Sequence, residues 1–326
     1  MKKTYRIGVD LGGTNIATGL VDADNVVVDK LSCKTGLPRP AHDLEQAIAQ
    51  QCRVLAEKNG LSLEQDIEWV GIGTPGSVDS STGYVEFNAN FSYHQWELKK
   101  DMETLLPCPV FVENDANAAA YGEYIAGGAR GAKSAVVITL GTGIGSGIII
   151  NGKIFSGYNY AGAELGHTVI VQGGRPCMCG RRGCWEKYAS ARALSEDTRK
   201  AMEQNKDNIM WGFVEGDLAR VNAKTAFDAM RAGDILAKEV VDTFLEYVAC
   251  GIVNVINIFQ PEILCIGGGI SKEGDTLLKP LQALVDEEDF ARTNAVRTKI
   301  VTAKLFNDAG IVGAACLGRQ NALDIV

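Results

Sequence analysis

The chain lacks a long apolar run, an export segment, a block of like charge, a low-complexity linker and a P-loop, and each absence narrows what it can be. Its longest apolar region, Val248 to Phe259, carries Asn254 and Asn257 and is too short to span a bilayer, so it reads as a buried helix. The basic start Met1-Lys2-Lys3 is followed by apolar residues that Asp10 soon interrupts, which argues against a signal peptide and for a cytoplasmic protein. With 40 acidic and 32 basic residues the formal charge is -8, spread without a long single-sign run. Nucleic acid and acidic membrane surfaces are therefore not expected partners. No glycine cluster is followed by Lys-Ser or Lys-Thr, which excludes a P-loop. Without a linker, the domain boundary has to be inferred from the elements themselves.

At 326 residues the chain suits two domains sharing a cleft, and 46% hydrophobic with 22% charged residues supplies sizeable cores. Six of its nine cysteines, Cys33, Cys52, Cys108, Cys250, Cys265 and Cys316, are scattered in apolar or helical surroundings and read as reduced core thiols. Tyr5 to Leu11, Ile16 to Val21 and Asn25 to Leu31 read as a meander of strands. From His42 to Asn59 the residues Leu44, Ile48, Cys52, Leu55 and Ala56 share one helical face, and Gly60 supplies the stop. Trp69 to Gly73 and Val110 to Glu113 are compact apolar strands, and an Ala-rich helix runs from Asp115 to Ile125. Ala135 to Leu140 and Ile148 to Ile150 form a second strand pair. Ile235 to Phe259 is a long helix closed by Pro261, followed by a strand at Ile263 to Ile266, another at Lys299 to Ala303 and a helix at Ala309 to Leu317. This alternation is that of an α/β protein.

A faint repeat links Ile7 to Thr14 with Ile138 to Gly143: each is a strand, then a glycine turn bearing a threonine, then a strand. It suggests two related halves facing each other across a nucleotide. Glycine turns after strands let backbone N–H groups approach phosphate oxygens, although each turn taken alone reads more readily as a tight hairpin. The Rossmann reading of Gly141 to Gly147 fails because Ile148-Ile149-Ile150 is β-like where a helix is required. Taken together, Asp10 in the first turn, Thr142 in the second and the run Gly267 to Gly269 favour phosphate contact, with Asp10 placed to hold Mg²⁺ through water. An acidic chain can do this because Mg²⁺ and backbone N–H groups neutralise phosphate locally. Asp115, at a strand end and a helix start in Glu113-Asn114-Asp115-Ala116-Asn117, reads either as a general base or as a helix N-cap. Cys177-Met178-Cys179-Gly180-Arg181-Arg182-Gly183-Cys184 puts three thiols within eight positions, with His167 ten residues upstream. Three thiolates and one imidazole make a closed tetrahedral zinc site, structural because no position is left for substrate; free or disulfide-linked cysteines are the alternative. Glu164 and Glu186 flank this cluster and read either as carboxylates placed to accept hydrogen bonds from vicinal hydroxyls or as solvated surface residues.

The ordered set of motifs resembles the ROK family of sugar kinases and related repressors, within the actin-like ATPase superfamily. The first phosphate motif is Asp10-Leu11-Gly12-Gly13-Thr14-Asn15, and the match continues through Gly73 to Gly76, Glu113 to Ala119, Leu140 to Gly147, Glu164 to Glu186 and Gly267 to Gly269. Cys-x-Cys-Gly-x-x-Gly-Cys-x-Glu is that family's zinc signature. The resemblance implies a two-domain, ribonuclease H-like α/β fold with the active site in the interdomain cleft. We expect a small domain of residues 1–118, completed by a C-terminal helix at about 308–326, and a large domain of residues 119–307 carrying the zinc loop.

The resemblance also implies the site. Asp115 becomes the general base, and Gly76, Asn90, Asn114, Glu164, His167 and Glu186 contact the sugar, with His167 serving both zinc and substrate. Asn88-Ala89-Asn90-Phe91 departs from the Asn-Leu usual in the family's glucokinases. Asp10, Gly12, Gly13, Thr14, Asn15, Thr142, Gly143, Gly268 and Gly269 hold the nucleotide. The implied cofactors are a structural zinc on His167, Cys177, Cys179 and Cys184 and Mg²⁺ with ATP, and a homodimer or homotetramer is the expected assembly. The implied reaction is ATP-dependent phosphorylation of the six-position hydroxyl of a hexose. Glucose is favoured because the zinc loop resembles that of glucokinases more than that of fructokinases; N-acetylmannosamine, N-acetylglucosamine, allose and fructose are alternatives. A sugar-sensing repressor would carry a helix-turn-helix domain ahead of the first phosphate motif, which here begins at Asp10. A structural or chaperone ATPase of the superfamily would leave the zinc loop unexplained.

Overall fold

The structure, a computed structural model, describes residues 4–88 and 91–320. In chain order its strands are β1 (Tyr5–Leu11), β2 (Asn15–Val21), β3 (Val27–Lys34), β4 (Ile67–Thr74), β5 (Ser77–Asp79), β6 (Tyr84–Asn88), β7 (Tyr93–Trp96), β8 (Val110–Asn114), β9 (Ser134–Leu140), β10 (Ile144–Ile150), β11 (Lys153–Ile154), β12 (Ile263–Gly267) and β13 (Lys299–Thr302). The α-helices are α1 (Ala41–Lys58), α2 (Leu98–Leu105), α3 (Asp115–Ala126), α4 (Glu186–Ala189), α5 (Ala191–Gln204), α6 (Met210–Phe213), α7 (Ala223–Arg231), α8 (Ile235–Phe259), α9 (Asp275–Glu288) and α10 (Ala309–Cys316). The chain divides into two compact units: Met1–Val137 with Gly147–Ala163 and Lys304–Val326, and Ile138–Ser146 with Glu164–Ala303.

The first unit is built on a sheet of order β3-β2-β1-β4-β8. The β1–β2 and β2–β3 pairs are antiparallel, whereas β1–β4 and β4–β8 are parallel. The apolar stripe read from α1 is the buried one, and Leu44, Ile48, Cys52 and Leu55 pack with Ile7, Val9, Ile16, Leu20, Val70 and Ile72. Each such side chain contributes roughly 1.5–3 kcal/mol of burial. Elsewhere on the sheet, α10 lies so close that a β-carbon at Gly8 or Gly71 would overlap the carbonyl oxygen of Ile311 or Ala314. The expected boundary near residue 118 falls inside α3, which belongs to the first unit over its whole length. It is held there by α10: a β-carbon at Gly313 would overlap the Ala118 carbonyl, and one at Gly122 the Ala309 carbonyl. Two backbones that meet without side chains between them form a tight, inflexible contact. A small antiparallel sheet of order β5-β6-β7, which the sequence does not announce, completes this unit.

The second five-stranded sheet has the order β11-β10-β9-β12-β13. Its order corresponds position by position to the first, with β9 in the place of β1 and β12 in that of β4, so the short sequence repeat extends to whole sheets. Strand β10 starts at Ile144 and not at Ile148 as expected, because its glycines hide the alternation of side chains on which the reading relied. Helix α8 has the expected bounds. As a whole it is long and apolar enough, by length and composition, to cross a bilayer. Eleven of its residues are nonetheless buried. The indole of Trp185 sits where a β-carbon on Gly251 would be, and its Nε1 donates to the Tyr247 carbonyl at 2.8 Å. All nine cysteines are free thiols, and of the six scattered ones Cys52, Cys108, Cys265 and Cys316 are buried.

Candidate active site

In the first unit the groups of interest stand at the ends of β1, β4 and β8. Asp10 lies near the end of β1, and the turn beyond it is closed by Gly12 N–H donating to the Asn15 carbonyl at 2.9 Å. Buried Thr35, unmarked in the sequence, holds that turn: its hydroxyl donates to the Gly12 carbonyl at 2.6 Å and its N–H to the Thr14 carbonyl at 3.0 Å. Gly13, Thr14 and Asn15 are exposed, so their polar groups are open to a phosphate. Burial, with the nearby charge of Asp115 added, raises the Asp10 carboxyl to about 6. The α10 residue beside it is Gly310, where a β-carbon would come 2.6 Å from Asp10 Oδ2.

Asp115 opens α3, and the cap of that helix is its neighbour. Asn114 is the N-cap: its Oδ1 accepts from Ala116 N–H at 2.9 Å and from Asn117 N–H at 3.1 Å. The Asn114 Nδ2 group donates to the Gly76 carbonyl at 3.0 Å, which ties the predicted residues Asn114 and Gly76 together. Gly76 has φ 113°, a conformation that favours glycine, and a β-carbon there would overlap the Phe87 carbonyl. Asp115 is half-buried, and its Oδ1 accepts from Ala116 N–H at 2.9 Å. Beneath it lies Glu113, almost wholly buried, accepting from Asn114 N–H at 2.8 Å and Asn117 Nδ2 at 3.1 Å; burial raises its carboxyl to about 7. Asn90 lies outside the described residues. Its neighbour Asn88 is buried, donates to the Pro75 carbonyl at 2.5 Å and accepts from Phe91 N–H at 3.2 Å, so it fixes the segment before Gly76.

In the second unit, His167, Cys177, Cys179 and Cys184 converge, with one ligand atom of each within 4.8 Å of the others. Cys177 Sγ is 3.6 Å from His167 Nδ1, and Cys179 Sγ is 3.6 Å from Cys184 Sγ. Tetrahedral zinc with sulfur at about 2.3 Å would separate its sulfurs by about 3.8 Å, so donor set and spacing fit that ion. The loop is shaped by Gly183 at φ 86°, by Cys177 N–H donating to Arg181 O at 2.9 Å and by a bridge between Val169 and Cys184. Because Nδ1 faces the thiols, the Nε2 edge of His167 points away from them, a distinction no sequence pattern could give. Glu186 Oε1 lies 3.1 Å from Cys177 Sγ, and Glu164 is exposed one residue before the short 3₁₀ turn Leu165–His167.

The predicted nucleotide residues of this unit come together in part. Thr142 and Gly269 line a cavity of about 770 Å³ whose other walls come from α5, α7 and the turn after β12, including Arg192, Ser195, Asn222, Lys224 and Lys272. That volume is within the range of small-molecule sites. The other wall residues escape a reading of the sequence because they are scattered between Arg192 and Lys272 without a shared motif. Gly268 adopts φ 83°, and a β-carbon there would overlap the Leu140 carbonyl, which sets β12 against the second glycine turn. Gly143 stands apart from the cavity wall, against the carboxylate of Glu186.

Comparison with known proteins now bears on this arrangement. The profile of the ROK family matches residues 6–321. A glucokinase from Thermotoga maritima is 38% identical over 322 residues, covering 98% of this chain and 99% of the relative. Among solved structures, a ROK family glucokinase from Streptomyces griseus in complex with glucose and AMPPNP is 36% identical, with TM-score 0.78 and coverage of 97% and 99%. The ROK hexokinase from Thermus thermophilus is 28% identical, with TM-score 0.80 and coverage of 98% and 99%. A profile that spans both sheets and both sets of candidate residues, joined to near full-length relatives, places this chain in the ROK family.

Proposed function

We propose that this protein is an ATP-dependent hexose kinase whose substrate is glucose and whose product is glucose 6-phosphate. Its glucokinase relatives and the glucose- and AMPPNP-bound neighbour support the reaction class. The observation that carries the reading is the carboxylate pair Asp10 and Asp115, close enough for one charge to hold back the ionisation of the other. In the proposed reaction Asp115 takes the proton of the six-position hydroxyl while that oxygen attacks the γ-phosphorus; the bond to the bridging oxygen breaks and ADP leaves. Positioning and charge do most of the work in such a transfer, and the base completes it. Asp10 holds the nucleotide's Mg²⁺ through water, with Gly12, Gly13, Thr14, Asn15, Thr142, Gly268 and Gly269 about the phosphates and adenosine. Glu164, the free edge of His167, Glu186, Asn114, Asn90 and the backbone at Gly76 hold the sugar hydroxyls.

His167, Cys177, Cys179 and Cys184 would hold one zinc, which supplies a cross-link and no open coordination position for chemistry. Because α8 buries eleven residues within its own unit, we read the protein as cytoplasmic and α8 as a core helix, and we propose a homodimer or homotetramer. A coupled ADP-release assay with MgATP across glucose, fructose, allose, N-acetylglucosamine and N-acetylmannosamine tests the reading. Glucose is expected to turn over fastest; a clearly faster competitor replaces the substrate, and no turnover with any hexose refutes the kinase.

A further inference from the structure

Gly143 belongs to a strand-glycine-threonine-glycine turn of the kind that holds phosphate, yet its surroundings do not ask for glycine on that account. Its φ is outside the left-handed region, so the backbone would accept any residue. A β-carbon at Gly143 would meet one side chain within 4 Å, the carboxylate of Glu186, at 2.5 Å from Oε2 and 3.7 Å from the carboxyl carbon. The other oxygen of that carboxylate is engaged with Cys177 Sγ at 3.1 Å and lies 4.0 Å from His167 Nδ1. Glu186 is thus confined from two sides, by the thiol and imidazole cluster and by the bare face of Gly143. The same turn is tied to the helix beyond Glu186, since Ala191 N–H donates to the Gly141 carbonyl at 2.9 Å.

We propose that Gly143 is a positioning residue for the hexose, acting through Glu186, and that its missing side chain serves the sugar carboxylate rather than the nucleotide phosphates. This rests on the hexose kinase reading and on Glu186 as a sugar ligand. An added methyl group would displace Oε2. To make room, the carboxylate has to turn away from Gly143, out of the orientation that accepts a hydroxyl.

The test is Gly143→Ala, with hexose affinity measured by calorimetry in the absence of nucleotide, and KM for glucose and for MgATP measured in the coupled assay. Hexose affinity is expected to fall about tenfold, the scale of one hydrogen bond to a charged group, with KM for MgATP changed less than about threefold. In a Glu186→Ala background the same substitution is expected to add less than about twofold, since the methyl group then has room. A raised KM for MgATP with unchanged hexose affinity would overturn the proposal, and so would an undiminished effect of Gly143→Ala in the Glu186→Ala background. Should Gly143→Ala alone fail to fold, the double variant is expected to fold; its failure would also overturn the proposal. If the unaltered protein phosphorylates no hexose, the kinase reading has failed, whereas an active protein with an indifferent Gly143→Ala disproves only the positioning role.

Discussion

Asp115 and Asn114 divide two tasks that a single residue at a helix start could have been given. Because Asn114 caps α3 with two hydrogen bonds, the Asp115 carboxylate is not needed for the helix end, and its replacement should cost activity rather than structure. Asp115→Asn is expected to lower kcat by about 10² to 10⁴ while the thermal melt stays within a few degrees, measured by coupled assay and calorimetry. The sequence makes Asp115 visible as a candidate but leaves cap and base equally open, since the two differ only in where a neighbour's side chain points. Likewise Gly143 is legible as part of a phosphate turn, but its contact with Glu186 crosses 43 positions and has no local signature. Thr35 and Asn88 carry no local signature either: they act by hydrogen bonds to backbone, which any polar residue can make.

Among the elements, those with strong periodicity are readable. Strands β1, β2, β4 and β8 and helices α1, α3, α8 and α10 lie where apolar spacing puts them, to within a few residues. The β5-β6-β7 sheet is not, because its strands are three to five residues long and the buried positions of β6 and β7 do not alternate. The close approach of α10 to β1, β4 and α3 is an element-scale device with a test of its own. Gly313→Ala would drive a methyl group into the Ala118 carbonyl and is expected to cost on the order of 3 kcal/mol in denaturant titration. Gly212→Ala, at a position with open space, is expected to change stability by less than about 1 kcal/mol. The cysteine loop is the most legible element of all, since ligand spacing is written directly in the chain. Metal analysis of freshly purified protein is expected to find about one zinc per chain, and Cys184→Ser far less.

At the scale of the whole molecule, two buried carboxyls make stability depend on pH. Asp10 and Glu113 have folded-state values of about 6 and about 7, above the 3.8 and 4.5 of the unfolded chain. The folded state therefore binds more protons between these limits, and the stability present below about pH 4 is lost as pH rises through about 6 and then about 7. Without Mg²⁺ or nucleotide, Glu113→Gln is expected to flatten this decline, gaining on the order of 3 kcal/mol over the unaltered protein above pH 7 relative to pH 4. Equal slopes in denaturant titrations of the two proteins would show that Glu113 does not titrate in this window. The α/β class and the doubled plan were readable from one short repeat, and a C-terminal helix completing the first domain was expected from the family resemblance, but the crossings at Ile138, Gly147 and Glu164 were not readable. The chain returns at Lys304 to finish a unit begun at its other end, a return that no local pattern by itself records. That return has a consequence for synthesis. A ribosome delivers β1 and β4 long before α10, so the glycine-lined strand surface must wait, uncovered, for well over two hundred further residues, from Thr74 to Ala309, to emerge. A chain stalled before Ala309 presents that surface to chaperones and proteases, which makes the last helix the seal on folding begun by the first strand.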